Sequence, residues 1–368
     1  MVCSPTCCAA SPGPGPPSVA AVLLILLFAA ATPAADHTRE VYEQACASCH
    51  GADGRGAPAG TAIAVPLPDF TDCVFATAES TANWVGLVRE GGRFLGMSPQ
   101  MPAFGEVLSD EEIRAVVAYV RGFCREPGYP IGDLNYRRPV FVEKAFPEDE
   151  AVAATAYESA RHTRASATEL SIEKRIGRRG QVEVALPSSV VDRDGRTAGV
   201  GDVALEYKHV LLAAPSWRTV VSGGLAVELP TGNRRHGVGA GTTLVTPQLF
   251  SAHAFGPLVA QTQVSGELPA DPGRAPRRMR YRFALQYPLG PYKKNLVPAL
   301  ELEQTQALDA AVHGAALLGP TLYLPLSRRG HVALGVGSQL PVAGVRPFNW
   351  QLAAFLLWEY RDGPFWAW

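Results

Sequence analysis

From about residue 151 to the C terminus the hydrophobic residues recur at every second position, over runs too long for an ordinary soluble sheet. Met279, Tyr281, Phe283, Leu285, Tyr287 and Leu289 alternate with Arg280, Arg282, Ala284 and Gln286. Successive side chains of an extended chain point to opposite faces, so this is a strand with one apolar and one polar face. Leu296, Leu300 and Leu302 oppose Glu301 and Glu303 in the same way. Val203, Leu205 and Tyr207 oppose Glu206 and Lys208, and Val182, Val184 and Leu186 oppose Gln181 and Glu183. Such strands run to about ten to thirteen residues, against five or six in typical soluble proteins. Two architectures fit the alternation. A soluble sandwich hides the apolar face in its core; a transmembrane barrel turns that face to lipid and lines its interior with polar groups. Strand length favours the barrel, as do the aromatics near strand ends and the terminus: Trp350, Trp358, Tyr360, Phe365, Trp366 and Trp368.

Connections supply a count. Short ones are expected at 177–180, 214–216, 255–257 and 327–330, and long ones at 192–201, 230–240, 269–277 and 343–347. Barrels have short periplasmic turns and longer external loops. About eleven strands read directly, the first at 167–176 and the last near 349–360. Both run toward the short-turn end, so a further strand, placed at 154–164, must carry the chain outward first. The total is about twelve, an even number as bacterial barrels require. The Arg pairs 178/179, 234/235 and 328/329 fall in turns and read as solvated residues, with lipid phosphate as an alternative contact. Gly237, Gly239 and Gly241 form a GxGxG with no helix after it, so they read as loop.

Residues 46–50 read Cys-Ala-Ser-Cys-His. C-x-x-C-H is the attachment signature of c-type haem: Cys46 and Cys49 supply two thioethers and His50 an axial ligand. Half of a zinc site is the alternative, but zinc needs a second ligand pair and no other C-x-x-C occurs. His209, His236, His253, His313 and His331 belong to no second such motif. One haem c is therefore expected.

Around that motif, residues 36–124 resemble a class I monohaem cytochrome c. Thr38–Ala47 suits a short helix leading into the motif, a Gly- and Pro-rich loop runs from Gly51 to Asp72, and Ser80–Glu90 suits a second helix. Ser109-Asp110-Glu111-Glu112 has the form of a capping box. Ile113, Val116, Val117, Val120 and Phe123 then recur at helical spacing. The resemblance implies a methionine as sixth ligand between the last two helices. Met101, followed by Pro102, is the candidate, and Met97 is its competitor. His/Met ligation fills both axial positions of the iron, which suits electron transfer and leaves no open site for a substrate. A non-catalytic electron carrier is expected.

The N-terminal segment 1–35 reads as a signal peptide. Val19–Thr32 is an apolar run of about fourteen residues, short of the ~20 a membrane helix needs, although nothing before Val19 is basic. Of 7 cysteines, Cys3, Cys7 and Cys8 would leave with it and Cys46 and Cys49 are taken by haem. Cys73 and Cys124 then remain as a disulfide pair for an oxidising compartment. Residues 125–150, irregular and with Pro127, Pro130, Pro139 and Pro147, read as a semi-rigid extended connector that wraps the cytochrome. The barrel follows at 151–368.

The whole is thus expected to be a multidomain α + β protein, a small all-α cytochrome c followed by an antiparallel transmembrane β-barrel. Residues 201–232 resemble the outer-membrane barrel family associated with the meta-pathway of phenol degradation. The combination resembles cytochrome–porin fusions proposed to pass electrons across the outer membrane. That resemblance implies an outer-membrane protein with its haem domain facing the periplasm, and partners comprising membrane lipid and a periplasmic or extracellular redox protein. A solute channel plugged or gated by the cytochrome is the alternative, and a soluble periplasmic redox subunit the third reading. Lys plus Arg number 33 against 34 Asp plus Glu, a balance that gives no case for nucleic acid as partner.

Overall fold

The computed structural model describes residues 32–368 except 58, 59, 64, 194, 235, 236, 310–313, 363, 367 and 368. The apolar run 19–31, Arg235, His236, His313 and Trp368 thus lie outside the described residues. Among the described residues no helix is long and apolar enough to cross a membrane.

Among the described residues, five α-helices form the N-terminal domain: α1 (Thr32–Ala45), α2 (Ala47–His50), α3 (Cys73–Ala78), α4 (Thr81–Glu90) and α5 (Asp110–Arg121). Ser80 caps α4 by accepting from the Asn83 N–H. At α5 the predicted box is present: Ser109 Oγ accepts from the Glu112 N–H, and the Glu112 carboxylate accepts from the Ser109 N–H at 2.8 Å. The periodic face of α5 is buried as predicted, Ile113, Val116, Val117 and Val120 packing with Tyr42, Phe70 and Val85. Cys73 and Cys124 are disulfide-bonded, tying α3 to the chain just after α5.

The rest is a single antiparallel sheet closed on itself. Its strands are β1 (Glu150–Ser159), β2 (Arg164–Ile176), β3 (Gly180–Asp192), β4 (Arg196–Val200), β5 (Val203–Ala214), β6 (Thr219–Leu229), β7 (Leu244–Phe255), β8 (Leu258–Pro269), β9 (Arg278–Gln286), β10 (Val297–Ala307), β11 (Ala315–Pro325), β12 (Val332–Gly344) and β13 (Trp350–Glu359). Closure comes from β1 pairing with β13, Glu150 opposite Glu359 through Ser159 opposite Trp350. Short β4 and long β5 both pair with β3, at Ser188–Asp192 and Gly180–Ala185 respectively. They fill one position in the ring, interrupted at Gly201-Asp202, so the barrel has twelve staves. The Asp202 carboxylate accepts from the Gly232 and Ala240 N–H groups at 2.8 and 2.7 Å, anchoring the long loop between β6 and β7.

Which face is inside settles the choice between sandwich and barrel. Leu300 and Leu302 are 49% and 39% exposed while Glu301 between them is fully buried. Tyr281 and Phe283 are likewise exposed, whereas Gln261, Gln263 and Gln286 are buried. The apolar face points out and the polar face in, the inverse of a soluble core. On the outer surface Tyr157 packs on Trp350 at one end of the β1/β13 pair and Trp358 on Tyr360 and Phe365 at the other.

Several expectations are corrected. The first two strands are 150–159 and 164–176, so the strand placed at 154–164 starts earlier. The alternation there is weak because β1 is rich in alanine, which carries little contrast between faces. Residues 192–201 are not a long loop: β3 runs to Asp192, which pairs with Arg196 at the start of β4. Conversely, the link between β9 and β10, at the end expected to carry only short turns, spans 287–296. The largest correction concerns the connector, which does not wrap the cytochrome but enters the barrel.

Candidate functional site

The haem motif is built at the end of α1. The N–H groups of Cys49 and His50 donate to the Cys46 carbonyl at 3.1 and 2.9 Å, winding the five residues into one helical turn. Gly51 (φ 75°) ends the turn, and a Cβ there would lie 2.7 Å from the Gly56 carbonyl oxygen. The buried Tyr42 hydroxyl donates to the Gly51 carbonyl at 2.7 Å, and the Gly56 N–H donates to the His50 carbonyl at 3.0 Å. The imidazole of His50 lies 5.0 Å from the Phe70 ring, which in turn meets Trp84 at 5.7 Å. Arg121 stacks over Trp84 at 4.6 Å. Burial lowers the pKa of His50, keeping the ring neutral. Its Nδ1 is buried with no hydrogen-bond partner. Burial, then the neighbouring Cys49, pushes the Cys46 thiol up to about 11.

The loop after α4 carries Met101. Gly91 and Gly92 receive it where no side chain fits: a Cβ on Gly92 would lie 2.0 Å from the Ser98 carbonyl oxygen, and one on Gly91 3.0 Å from that of Met101. The Gly92 N–H donates to the Met101 carbonyl at 3.0 Å, and the Phe104 and Gly105 N–H groups donate to Val88 and Arg89. Met101 is half-buried, whereas Met97 is exposed at 36%. Cys46 and Cys49 are free thiols, and beside them stand a neutral imidazole with an unpartnered nitrogen and an aromatic wall. This donor set fits a c-type haem.

Sequence reasoning missed how this domain is moored. Lys293, in the link between β9 and β10, is 3% exposed. Its N–H donates to Asn83 Oδ1 of α4 at 3.0 Å. Its Nζ contacts Glu79 at 2.7 Å, Asp362 at 3.0 Å and also Glu359. Burial disfavours that charge, but the three carboxylates outweigh it and raise the lysine pKa well above its usual value. Tyr292 beside it meets Phe94 edge-on at 5.0 Å. Arg178 and Arg179, expected to be merely solvated, donate to the carbonyls of Pro127 and Gly128 at 3.2 and 2.9 Å. The N-terminal domain therefore sits on the barrel end that holds the β2–β3 turn, the β9–β10 link and residues 359–362.

Beyond Asn135 the connector loops into the lumen and returns. Glu301 accepts from the Val140 and Phe141 N–H groups at 2.7 and 2.8 Å. Arg138 pairs with Glu173 at 2.6 Å, and Lys144 with Glu150 at 2.9 Å and with Glu148. Lys208 and Ser222 donate to the Lys144 and Ala145 carbonyls. Phe146 joins Val210, Val220 and Phe250 in a small apolar cluster. The only sequence signal was the unusual density of charge at 137–150, which reads equally well as a solvated strap.

Residues 33–120 match the family model described as cytochrome c oxidase, cbb3-type, subunit III. The chain is a cytochrome–barrel fusion. The cytochrome c match implies haem c. No curated protein matches the fusion. Among solved structures it is similar to an outer membrane channel from Pseudomonas putida F1, at 15% identity and a TM-score of 0.43 over 58% of this chain and 96% of that one. It is also similar to the NanC porin, at 12% identity and a TM-score of 0.40 over 56% and 97%. The KdgM porin aligns at 9% identity and a TM-score of 0.38 over 57% and 99%.

Proposed function

We propose that the fusion is an electron carrier of the bacterial outer membrane, holding one haem c at the periplasmic mouth of its barrel. The observation that carries this reading is the inverted barrel surface, with Glu301 buried between exposed Leu300 and Leu302, joined to a domain that matches cytochrome c. Cys46 and Cys49 would form the thioethers, and His50 and Met101 the axial bonds. Bound there, haem c supplies a one-electron centre with no vacant position for substrate. The chain's own residues do the rest. Phe70, backed by Trp84, covers the imidazole, the Gly91–Gly92 contacts fix the Met101 loop, and Lys293 holds the domain to the membrane anchor. The domain stands at the end that carries the short β2–β3, β5–β6, β7–β8 and β11–β12 connections, and short turns belong to the periplasmic end of bacterial barrels. A redox protein of the periplasm or the cell exterior is the partner this position calls for.

The test is a haem-stained gel of purified outer membranes, run heated and unheated. A haem-bearing band whose mobility shifts on heating is expected. Haem-stained protein in the soluble periplasm would remove the membrane half of the reading, and a barrel without haem stain would remove the redox half. A second reading, a solute channel, is favoured by one observation: charged and amide side chains such as Glu301, Gln261 and Gln263 line much of the lumen, and what closes it is a loop of the chain.

A further inference from the structure

The connector and the docked cytochrome meet in one continuous set of buried charges. Lys293 joins Glu79 of the cytochrome to Glu359 at the end of β13. Carboxylate oxygens of Glu359, Glu148 and Glu150 lie within 4.8 Å of one another. Lys144 bridges Glu148 and Glu150, and Arg138 stands 3.6 Å from Glu150 and 2.6 Å from Glu173 on the barrel wall. Both carboxylate clusters already contain a lysine ammonium, so neither is left for a metal ion. The chain of contacts runs without a break from the cytochrome surface to the inserted loop. That loop is held by ion pairs and by bonds from its backbone to Glu301, Lys208 and Ser222, and it packs on the wall through two apolar patches, one at Ala145 and Phe146 and one at Val140. The polar contacts among these exchange readily for water.

What the loop covers has a definite sign. Of its three cations, Arg138 and Lys144 rest on Glu173 and Glu150, and two of its amides occupy both oxygens of Glu301. With the loop withdrawn, those three carboxylates face the lumen without their partners; Glu173 stands in register with Glu183 and Glu183 with Glu206, while the wall cations Arg280 and Arg282 keep their own partners Glu267 and Glu303. We propose that the barrel is a cation-preferring pore, that residues 135–149 are its gate, and that docking of the cytochrome through Lys293 latches the gate shut. The proposal shares the membrane-inserted barrel with the preceding section and is independent of its electron transfer.

The full-length, haem-loaded protein in planar bilayers under a KCl gradient tests it. The wild type should be closed almost all the time. Lys293→Gln and Glu79→Gln break the latch from opposite sides. Each should raise the open fraction by at least about tenfold, since removing one partner of a buried pair is worth more than that factor. The open pore should pass K⁺ over Cl⁻ by about threefold or more, as acidic linings do. Ala145→Cys with Ser222→Cys, whose positions are in contact, should lock the gate when oxidised in the Lys293→Gln background and free it when reduced, with Lys293→Gln alone as control for the reductant. If both latch variants conduct no more than wild type, if the lock leaves the current unchanged, or if Cl⁻ is preferred, the gate is wrong. Haem stain and heat shift on the same samples separate the cases. Inserted, haem-loaded protein that fails these tests overturns the gate alone; protein that never enters the bilayer overturns the membrane reading and the gate with it.

Discussion

Placing a charge on the outer surface at mid-height distinguishes lipid from water as the barrel's surroundings. Leu302 is the central residue of β10 (Val297–Ala307, 11 residues) and faces outward at 39% exposure. Gln306 faces the same way four residues on. At ~3.4 Å per residue and a tilt of about 40°, it lies about 10 Å further along the barrel axis. The apolar band is ~25 Å tall, so Leu302 sits near its middle and Gln306 near its edge. Arginine at the midplane costs about 2–4 kcal/mol and near the interface about 0–1. Leu302→Arg should therefore lower the equilibrium constant for folding into bilayers about 30- to 700-fold, and Gln306→Arg less than about sixfold. Guanidinium titration in phospholipid vesicles, followed by tryptophan fluorescence, reads both. Were this face in contact with water, each variant would stay within about 0.5 kcal/mol of wild type. Equal and small effects of the two substitutions would refute the lipid-facing assignment.

Met101→Ala should lower the midpoint potential of the haem in a spectroscopic redox titration while Met97→Ala leaves it in place; the reverse order would exchange the two ligands. Reducing Cys73–Cys124, which closes a loop 51 residues apart in sequence, should destabilise the cytochrome domain by about 4 kcal/mol in a urea titration, and no change in midpoint would count against it. The Glu112 carboxyl is held at about 2 by the bonds from the Ser109 N–H and hydroxyl, with His37 adding to them. A depressed carboxyl stabilises the fold above its ordinary value of 4.5 and loses that contribution as pH falls toward 2. Ser109→Ala should move the NMR-titrated Glu112 pKa back toward 4.5 and flatten the acid limb of the stability profile.

Much of this architecture could be read from local chemistry. The spacing Cys46-Ala-Ser-Cys-His50 points to its prosthetic group, because two thiols at that interval reach the two vinyl groups on one edge of a porphyrin and the imidazole after them reaches the iron. The Ser109–Glu112 box and the Ile113–Val120 face specified a helix and its buried side, since both depend on neighbours three and four residues away. The alternation at 279–289 specified a two-faced strand, and its length pointed to lipid. Those are short-range facts.

What the sequence could not carry was the destination of the connector and the role of single charges. Arg138, Lys144 and Glu148 have the composition of a solvated strap; only ring closure between β1 and β13 creates the lumen in which Glu173 and Glu150 take in the two cations and Gln181 accepts from the Glu148 N–H. Lys293 reads as a turn lysine until the cytochrome brings Glu79 and Asn83, more than two hundred residues earlier, against it. Periodicity reports which face of a segment is apolar, but the partner of a buried charge is chosen by the closed tertiary structure, where desolvation forbids leaving it alone.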